Sequence, residues 1–327
     1  MLGMKPLVAK KERPKKEGGR KIPDVAALFG FLVALLILFS VTSPYFFQWA
    51  NFRDILVALA VTGIACVPCT FLMIGGQVDL SVGSSAAVSG MIAAKLVGHH
   101  GIIVGVGLAM LFGVALGLFN GFIVTVIGVN SLITTLGGLA TLYGFALLIG
   151  NGQTLGVQKF DTLGTAQPLG IPLPVVIFVL ISVAGIITLR QTVYGRSLYA
   201  IGSNPNAARV VGIRTRRIIF ITFIASGMAS ALAGLILCSQ LSQGDPNAAK
   251  GLELQVVTAI VLGGASLAGG RGSMLGTILG LLVIGVLNNG LNLLNVQPFW
   301  QSVAQGFMLI IAVSFDQIRQ KLNQQRR

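Results

Sequence analysis

Acidic residues are scarce: nine Asp and Glu stand against 23 Lys and Arg in 327 residues. Charged residues together make up only 10%, far below the roughly 25% usual in soluble domains, which excludes an ordinary water-soluble fold. Long polar stretches are lacking as well. None exceeds about 20 to 30 residues, too short to enclose a core of its own, so no separate soluble domain is expected. Cysteine is limited to Cys66, Cys69 and Cys238, an odd number that offers no disulfide framework. Cys66 and Cys69 have redox spacing around Pro68, but they lie in an apolar run without a strand-helix-strand pattern, and the segment reads as a helix kinked at Pro68. The two histidines, His99 and His100, are adjacent; on a helix they point in different directions and make no metal-binding face, so they are placed in an outer turn. No Gly-x-x-x-x-Gly-Lys-Ser/Thr segment occurs, so the chain does not cradle ATP phosphates by that route, and any ATP hydrolysis belongs elsewhere.

What fills the chain instead is apolar sequence, 54% hydrophobic with a mean hydropathy of +0.86. The expectation is an all-α polytopic membrane protein. Spans are expected at 25–41, 55–75, 84–98, 102–119, 131–150, 173–189, 218–239, 256–267, 274–291 and 300–315, about ten transmembrane helices in all. The first is about 26 Å long at 1.5 Å per residue, enough for most of a bilayer core. Tyr45, Phe46, Phe47 and Trp49 follow it as an interfacial aromatic belt.

The net charge of +14 does not form one basic domain of the kind that binds nucleic acid. Residues 1–24 carry eight Lys/Arg and read as a disordered cytosolic tail, retained because no small-residue cleavage site follows Val41. A second basic tail is expected at 317–327, with a single membrane domain at 25–316. Threading the spans from a cytosolic start puts 19 of the 23 cations on one side, leaving Arg53, Lys95, Lys159 and Lys250 opposite. Both termini are then cytosolic, as the positive-inside rule requires.

Glycine-rich stretches interrupt the helices at two places. The first runs Gly75-Gly76-Gln77-Val78-Asp79-Leu80-Ser81-Val82-Gly83, the second from Leu262 through Gly263, Gly264, Gly269, Gly270 and Arg271 to Ser273. Irregular backbone at membrane depth is stable only where it is buried in protein or lines a wet cavity. Asp79 and Ser81 fit helix N-caps, and they equally fit a broken helix along a permeation path. Gln77, Asp79, Ser81, Gly83, Gly263, Gly264, Gly270 and Arg271 are therefore candidate broken-helix or gating residues. The breaks occupy comparable positions in the two halves, which hints at internal duplication.

The longest polar interruption of the hydrophobic body, 190–217, holds six arginines and no acidic residue. Within it Asn204 can cap a short helix, Pro205 suits its first position, and Gly212 can end it in a left-handed turn. Ala207, Ala208, Val210 and Val211 give that helix a small apolar surface that must pack on this chain or on a partner, since so short a helix is marginal in water. The bland alternative is a headgroup-facing loop whose arginines only set topology. Polar side chains inside the spans are mostly neutral: Asn120, Thr134, Thr135, Tyr143, Asn288, Asn289, Asn292 and Asn295. Amides and hydroxyls suit a hydroxyl-rich neutral solute, and they equally hold helices together. Asn120, Thr135, Tyr143, Asn288, Asn289 and Asn292 are the candidate path residues, with 288 and 292 sharing a helical face. An ion-driven carrier would instead use an acidic group near the midplane, for which Asp79 is the candidate.

Four motifs now carry a resemblance. Asp79-Leu80-Ser81-Val82-Gly83, Gly202-Ser203-Asn204-Pro205-Asn206-Ala207-Ala208-Arg209 with Gly212-Ile213, Val261 through Gly272, and Leu287-Asn288-Asn289-Gly290-Leu291-Asn292 resemble, in the same order over about 43–316, the ribose/xylose/arabinose-type permeases of bacterial ABC importers. The resemblance implies a multi-pass protein of the bacterial cytoplasmic (inner) membrane that binds no cofactor itself. It implies ATP and Mg on a partner ATPase subunit, a periplasmic or lipid-tethered sugar-binding protein, and a second permease subunit, identical or paralogous. It further implies that Asn204, Pro205, Ala207, Ala208, Arg209 and Gly212 belong to a coupling helix that docks on the ATPase. Gln77-Val78 departs from the Gly-Ile usual in the family.

Overall fold

The computed structural model describes residues 24–324; of the basic tails expected at 1–24 and 317–327, residues 1–23 and 325–327 lie outside the described residues. Helices α1 (Asp24–Thr42), α2 (Trp49–Ile74), α3 (Val82–His100), α4 (Ile102–Phe122) and α5 (Ser131–Ile149) form the first half. A connecting segment carries strand β1 (Leu155–Gly156) and the single turn α6 (Thr162–Thr165). Then come α7 (Leu173–Gln191), α8 (Val193–Ser203), α9 (Pro205–Val210), α10 (Thr215–Leu241), strand β2 (Gln243–Gly244), α11 (Leu252–Leu262), α12 (Met274–Leu293) and α13 (Pro298–Gln324).

Each of the ten expected apolar stretches overlaps a helix, and six of the described helices are long and apolar enough to cross a membrane: α2, α4 with its wider terminal turn Ile123–Ile127, α5, α7, α10 and α12. The expectation for 256–267 needs correction. Helix α11 has 11 residues, about 16 Å at 1.5 Å per residue, half of a bilayer core. Helix α13 in turn continues to Gln324, beyond the stretch expected at 300–315.

Local chemistry sets several helix starts. The side chain of Asn130 accepts from Leu132 N (2.8 Å) ahead of α5, Thr192 Oγ1 from Gly195 N (3.1 Å) ahead of α8, and Ser273 Oγ from Gly276 N (3.0 Å) ahead of α12. Pro68 is accommodated inside α2, whose flanking Cys66 and Cys69 are free and buried.

The core is built around α2 and α10. Helix α10 packs closely on α4 where Gly227 faces Gly113 and Gly117, and on α3 where Gly234 faces Gly90 and Ala86, with backbone against backbone. Small residues allow that approach, which in a lipid environment replaces the hydrophobic effect as the source of helix association. Helix α5 is the opposite case, exposing Leu132, Ile133, Leu136, Phe145 and Leu148. In the aromatic turn after α1, Tyr45, Phe47 and Trp49 point outward, whereas Phe46 is fully buried against Phe39 and Phe52 with ring centroids 5.9 Å apart. At that same end β1 and β2 pair antiparallel, Leu155 opposite Gly244, and tie the α5–α7 connection to the C-terminus of α10.

Candidate functional site

Both glycine-rich breaks end at one place, and the α8–α9 segment is wedged against them. Gly270 N donates to the Ile74 carbonyl at the end of α2 (2.8 Å), and Tyr199 Oη of α8 donates to the Gly272 carbonyl (2.9 Å). Burial raises the Tyr199 hydroxyl above the ordinary phenol value, with the Arg190 cation acting the other way, so it stays a neutral donor. A Cβ on Gly202 would overlap the Ile74 carbonyl oxygen and the Gly270 nitrogen. Gly269, at φ +86°, leaves room for a Cβ only 2.8 Å from Gly76 Cα and 3.0 Å from Gly202 Cα. Three stretches far apart in sequence thus meet through bare backbone.

Beyond that junction the first break is pinned from several sides. Asp79 is buried; its Oδ1 accepts from Ser81 Oγ (2.6 Å) and Ser81 N (3.0 Å), and its Oδ2 accepts from Ser226 Oγ of α10 (2.7 Å). Asn120 Nδ2 of α4 donates to Ser81 Oγ (3.1 Å), while Ser131 Oγ of α5 accepts from Val78 N (3.2 Å). Ser81 precedes the first residue of α3 but makes no side-chain cap bond to it; Asp79 bonds within its own turn and across to α10. Gln77 N bonds back to Leu72 O (2.8 Å), closing α2. In the second break Gly263 packs on Gly276, joining α11 to α12, Gly264 follows with a positive φ, and Arg271 is half-buried with its carbonyl accepting from Ser266 N (3.0 Å).

Helix α9 is formed as its residues require. Asn204 Oδ1 accepts from Asn206 N and Ala207 N (both 3.0 Å), Pro205 takes the first position, Gly212 has φ +84°, and Ile213 N returns to Ala208 O (3.0 Å). Arg209 Nη2 donates to Asn206 Oδ1 (3.1 Å), on the helix itself. The two ways open to this helix, packing on its own chain or on a partner, divide between its residues. Ala208 is 3% exposed and packs inside this chain with Ile201 and Ile219, whereas Val210 (87%) and Val211 (74%) present the apolar surface. The residue four along from the cap faces home, and the last turn faces out.

The candidate path residues are dispersed. Asn120 joins the Asp79 cluster, and Thr135 is buried, its hydroxyl bonded to Ser131 O (2.8 Å). Asn289 Nδ2 donates to Asn51 Oδ1 of α2 (2.7 Å), while Asn288 Oδ1 and Asn292 Oδ1 accept from Gln305 (3.1 Å) and Gln301 (2.6 Å) of α13. The three asparagines of α12 therefore bond to neighbouring helices. Tyr143 borders a cavity of about 150 Å³, where the N-terminus of α3 meets that of α11. Its other walls include Lys250 and Glu253, the latter a second acidic group beside a helix start, where sequence reasoning had only Asp79. The expected start of the span at 256 hid Glu253; the usable signal was Gly251, the left-handed residue that opens α11.

A helical bundle with six helices long and apolar enough to cross a membrane, two broken segments and α8 packed against both is that of a polytopic membrane protein. The family described as "Branched-chain amino acid transport system / permease component" matches residues 51–313, and the chain belongs to it. It is similar to the ribose import permease protein RbsC of Escherichia coli K12, 38% identical over 299 residues covering 88% of this chain and 93% of that one. The L-arabinose ABC transporter permease protein AraH of Azospirillum brasilense is 36% identical over 303 residues, 91% of this chain and 89% of its own. The ribose import permease protein RbsC of Bacillus subtilis 168 is 38% identical over 294 residues, 87% and 90%. No solved structure matches.

Proposed function

We propose that this chain is the transmembrane permease subunit of an ATP-binding-cassette importer that moves a monosaccharide or related neutral polyhydroxy solute into the cytosol by alternating access. The sugar class comes from the ribose and arabinose named for its relatives. In this reading the chain crosses the membrane ten times with both termini cytosolic. The stretches 75–81 and 242–251 complete the passages that α3 and α11 cover only in part, and the α9 end, where most cations gather, faces the cytosol. Helix α9 docks through Val210 and Val211 on an ATPase subunit, which holds ATP and Mg. A second permease subunit covers the apolar face of α5, and a binding protein delivers solute at the β1–β2 end.

The observation that carries the proposal is the packing of the α8 C-terminus on both glycine breaks, with Gly202 against the Ile74 carbonyl and Gly270 nitrogen and Tyr199 bonded to Gly272. A push on α9 passes through α8 and reaches both interrupted segments at Gly202. ATP binding shifts the packing only by the difference in its affinity for the two states. Co-purification from native membranes in mild detergent, with mass identification and an ATPase assay, tests this. The expected result is an ATPase and a binding protein, with ATP turnover rising when the binding protein is loaded with ribose or arabinose. A chain that purifies alone and moves solute in liposomes without ATP overturns it in favour of an ion-driven carrier.

A further inference from the structure

The cavity at the meeting of α3 and α11 is not explained by helix packing. Its walls bring together Gly83, Ser84 and Ala87 of α3, Tyr143 of α5, Lys250, and Glu253 in the first turn of α11. Glu253 Oε2 lies directly over Gly83, where a Cβ would overlap it and would come within 2.8 Å of the Ala249 carbonyl. Tyr143 Oη donates to Asn247 Oδ1 (2.8 Å), and Lys250 Nζ stands 5.9 Å from the centroid of the Tyr143 ring. These residues come from three separate stretches, and the glycine at position 83 is what lets the carboxylate approach the start of α3.

Resting on the importer reading above, we infer that this cavity is a solute-holding site within the permease, with Glu253, Lys250 and Tyr143 as its recognition residues and a single neutral sugar ring as its ligand. Its volume of about 150 Å³ equals that of roughly five waters at about 30 Å³ each, the scale of one small polyhydroxy molecule. One anionic and one cationic side chain leave the walls without net charge, which suits an uncharged solute. The carboxylate accepts from two neighbouring hydroxyls, the ammonium donates to ring or hydroxyl oxygen, Ser84 does either, and the Tyr143 ring covers the C–H face of a sugar. The N-termini of two interrupted helices converge here, so any partial negative charge on the solute's oxygens meets the favourable end of both dipoles. The acid in the first turn of α11 also complements that helix dipole. That role alone would not require its carboxylate to stand over Gly83 at the cavity wall.

The test uses the complete importer in native membranes, with radiolabelled ribose, arabinose and xylose at saturating binding protein, so that selection by the binding protein is constant. Glu253→Gln and Tyr143→Leu are expected to lower the maximal import rate about tenfold or more and to change the rate ratio between ribose and arabinose, which differ in hydroxyl configuration. In the Ala87→Cys variant, the transported sugar is expected to slow modification by a small hydrophilic thiol reagent. If both variants lower all three sugars by one common factor, and sugar leaves Ala87→Cys labelling unchanged, the site assignment is wrong. If the wild-type importer moves none of the three sugars with ATP, the sugar-permease reading itself has failed and takes this inference with it.

Discussion

Replacing Gly202 by alanine puts a methyl group into the Ile74 carbonyl oxygen and the Gly270 nitrogen, with Ile74 C only 3.0 Å away. All three are backbone atoms, so no rotamer relieves the overlap. Forcing a methyl into a closed space costs about 1–3 kcal/mol, and parting Gly270 N from Ile74 O adds about 1 kcal/mol for the lost bond. Together the packing seen here loses about 2–4 kcal/mol. A shift of that size changes the ratio of two conformations by about 30- to 1000-fold. The expected outcome is a permease inserted at normal amount whose ATP turnover no longer responds to loaded binding protein and whose uptake falls at least tenfold. Gly98→Ala is the control, because its Cβ meets nothing within 4 Å. Tyr199→Phe is the gentler companion, removing only the bond to Gly272 O, and should lower stimulation several-fold. Thermal unfolding followed by tryptophan fluorescence separates uncoupling from collapse. Wild-type uptake and stimulation in Gly202→Ala would refute the idea that α8 transmits through this junction.

Three further outcomes are expected. Val210→Asp and Val211→Asp, on exposed positions, should abolish stimulated ATPase activity with little change in melting temperature, whereas Ala208→Asp buries a charge in this chain and should reduce the amount of folded protein; equal behaviour of the three in paired melting and ATPase assays would contradict the orientation of α9. Ser226→Ala removes the donor to Asp79 Oδ2 and leaves a buried carboxylate oxygen without that partner, costing about 1–3 kcal/mol, to be read as a lower melting temperature that Asp79→Asn partly restores in the double variant. Asn289→Leu leaves Asn51 without its α12 partner and should cost about 1 kcal/mol in stability while keeping the ribose-to-arabinose rate ratio; a changed ratio would return Asn289 to the solute path.

The helices were legible because apolar runs of bilayer length announce themselves, and α9 was legible because Asn204, Pro205 and Gly212 each encode a local geometry. Which way α9 faces was not. An apolar patch on a six-residue helix looks the same whether it packs on its own chain or on another, and only the fold shows Ile201 and Ile219 beneath Ala208. The bonding of the α12 asparagines was illegible for a related reason. A shared helical face marks 288 and 292 as neighbours, but their partners come from α13, and that of Asn289 lies 238 residues away on α2. Amides that line a path and amides that hold helices have the same sequence signature. Glu253 was missed through a boundary: a half-length helix preceded by a descending loop lacks the continuous hydropathy that marks a span, so its first turn was left outside.

The hydrogen bonds and glycine contacts gather the interior into two bodies that α2 also joins, through Cys69 with Ser226 and Thr70 with Thr277. Asp79 and Ser81 bind the start of α3 to α10 and α4, and Val78 is tied to α5, so the first break moves with that group. Helix α11 is joined to α12 by backbone contact at Gly263 with Gly276 and at Ala259 with Gly280. The two bodies meet at the glycine junction against α8, and again at the cavity, where Gly83 belongs to the first and Glu253 to the second. Packed interfaces of this kind switch between discrete arrangements because close-packed side chains do not deform continuously. In the importer reading proposed above, a displacement entering at α9 acts on this junction and so on the separation of Gly83 and Glu253. A Cβ on Gly202 would meet the Ile74 carbonyl oxygen and the Gly270 nitrogen, and one on Gly83 would meet Glu253 Oε2 and the Ala249 carbonyl, so each contact closes only around glycine.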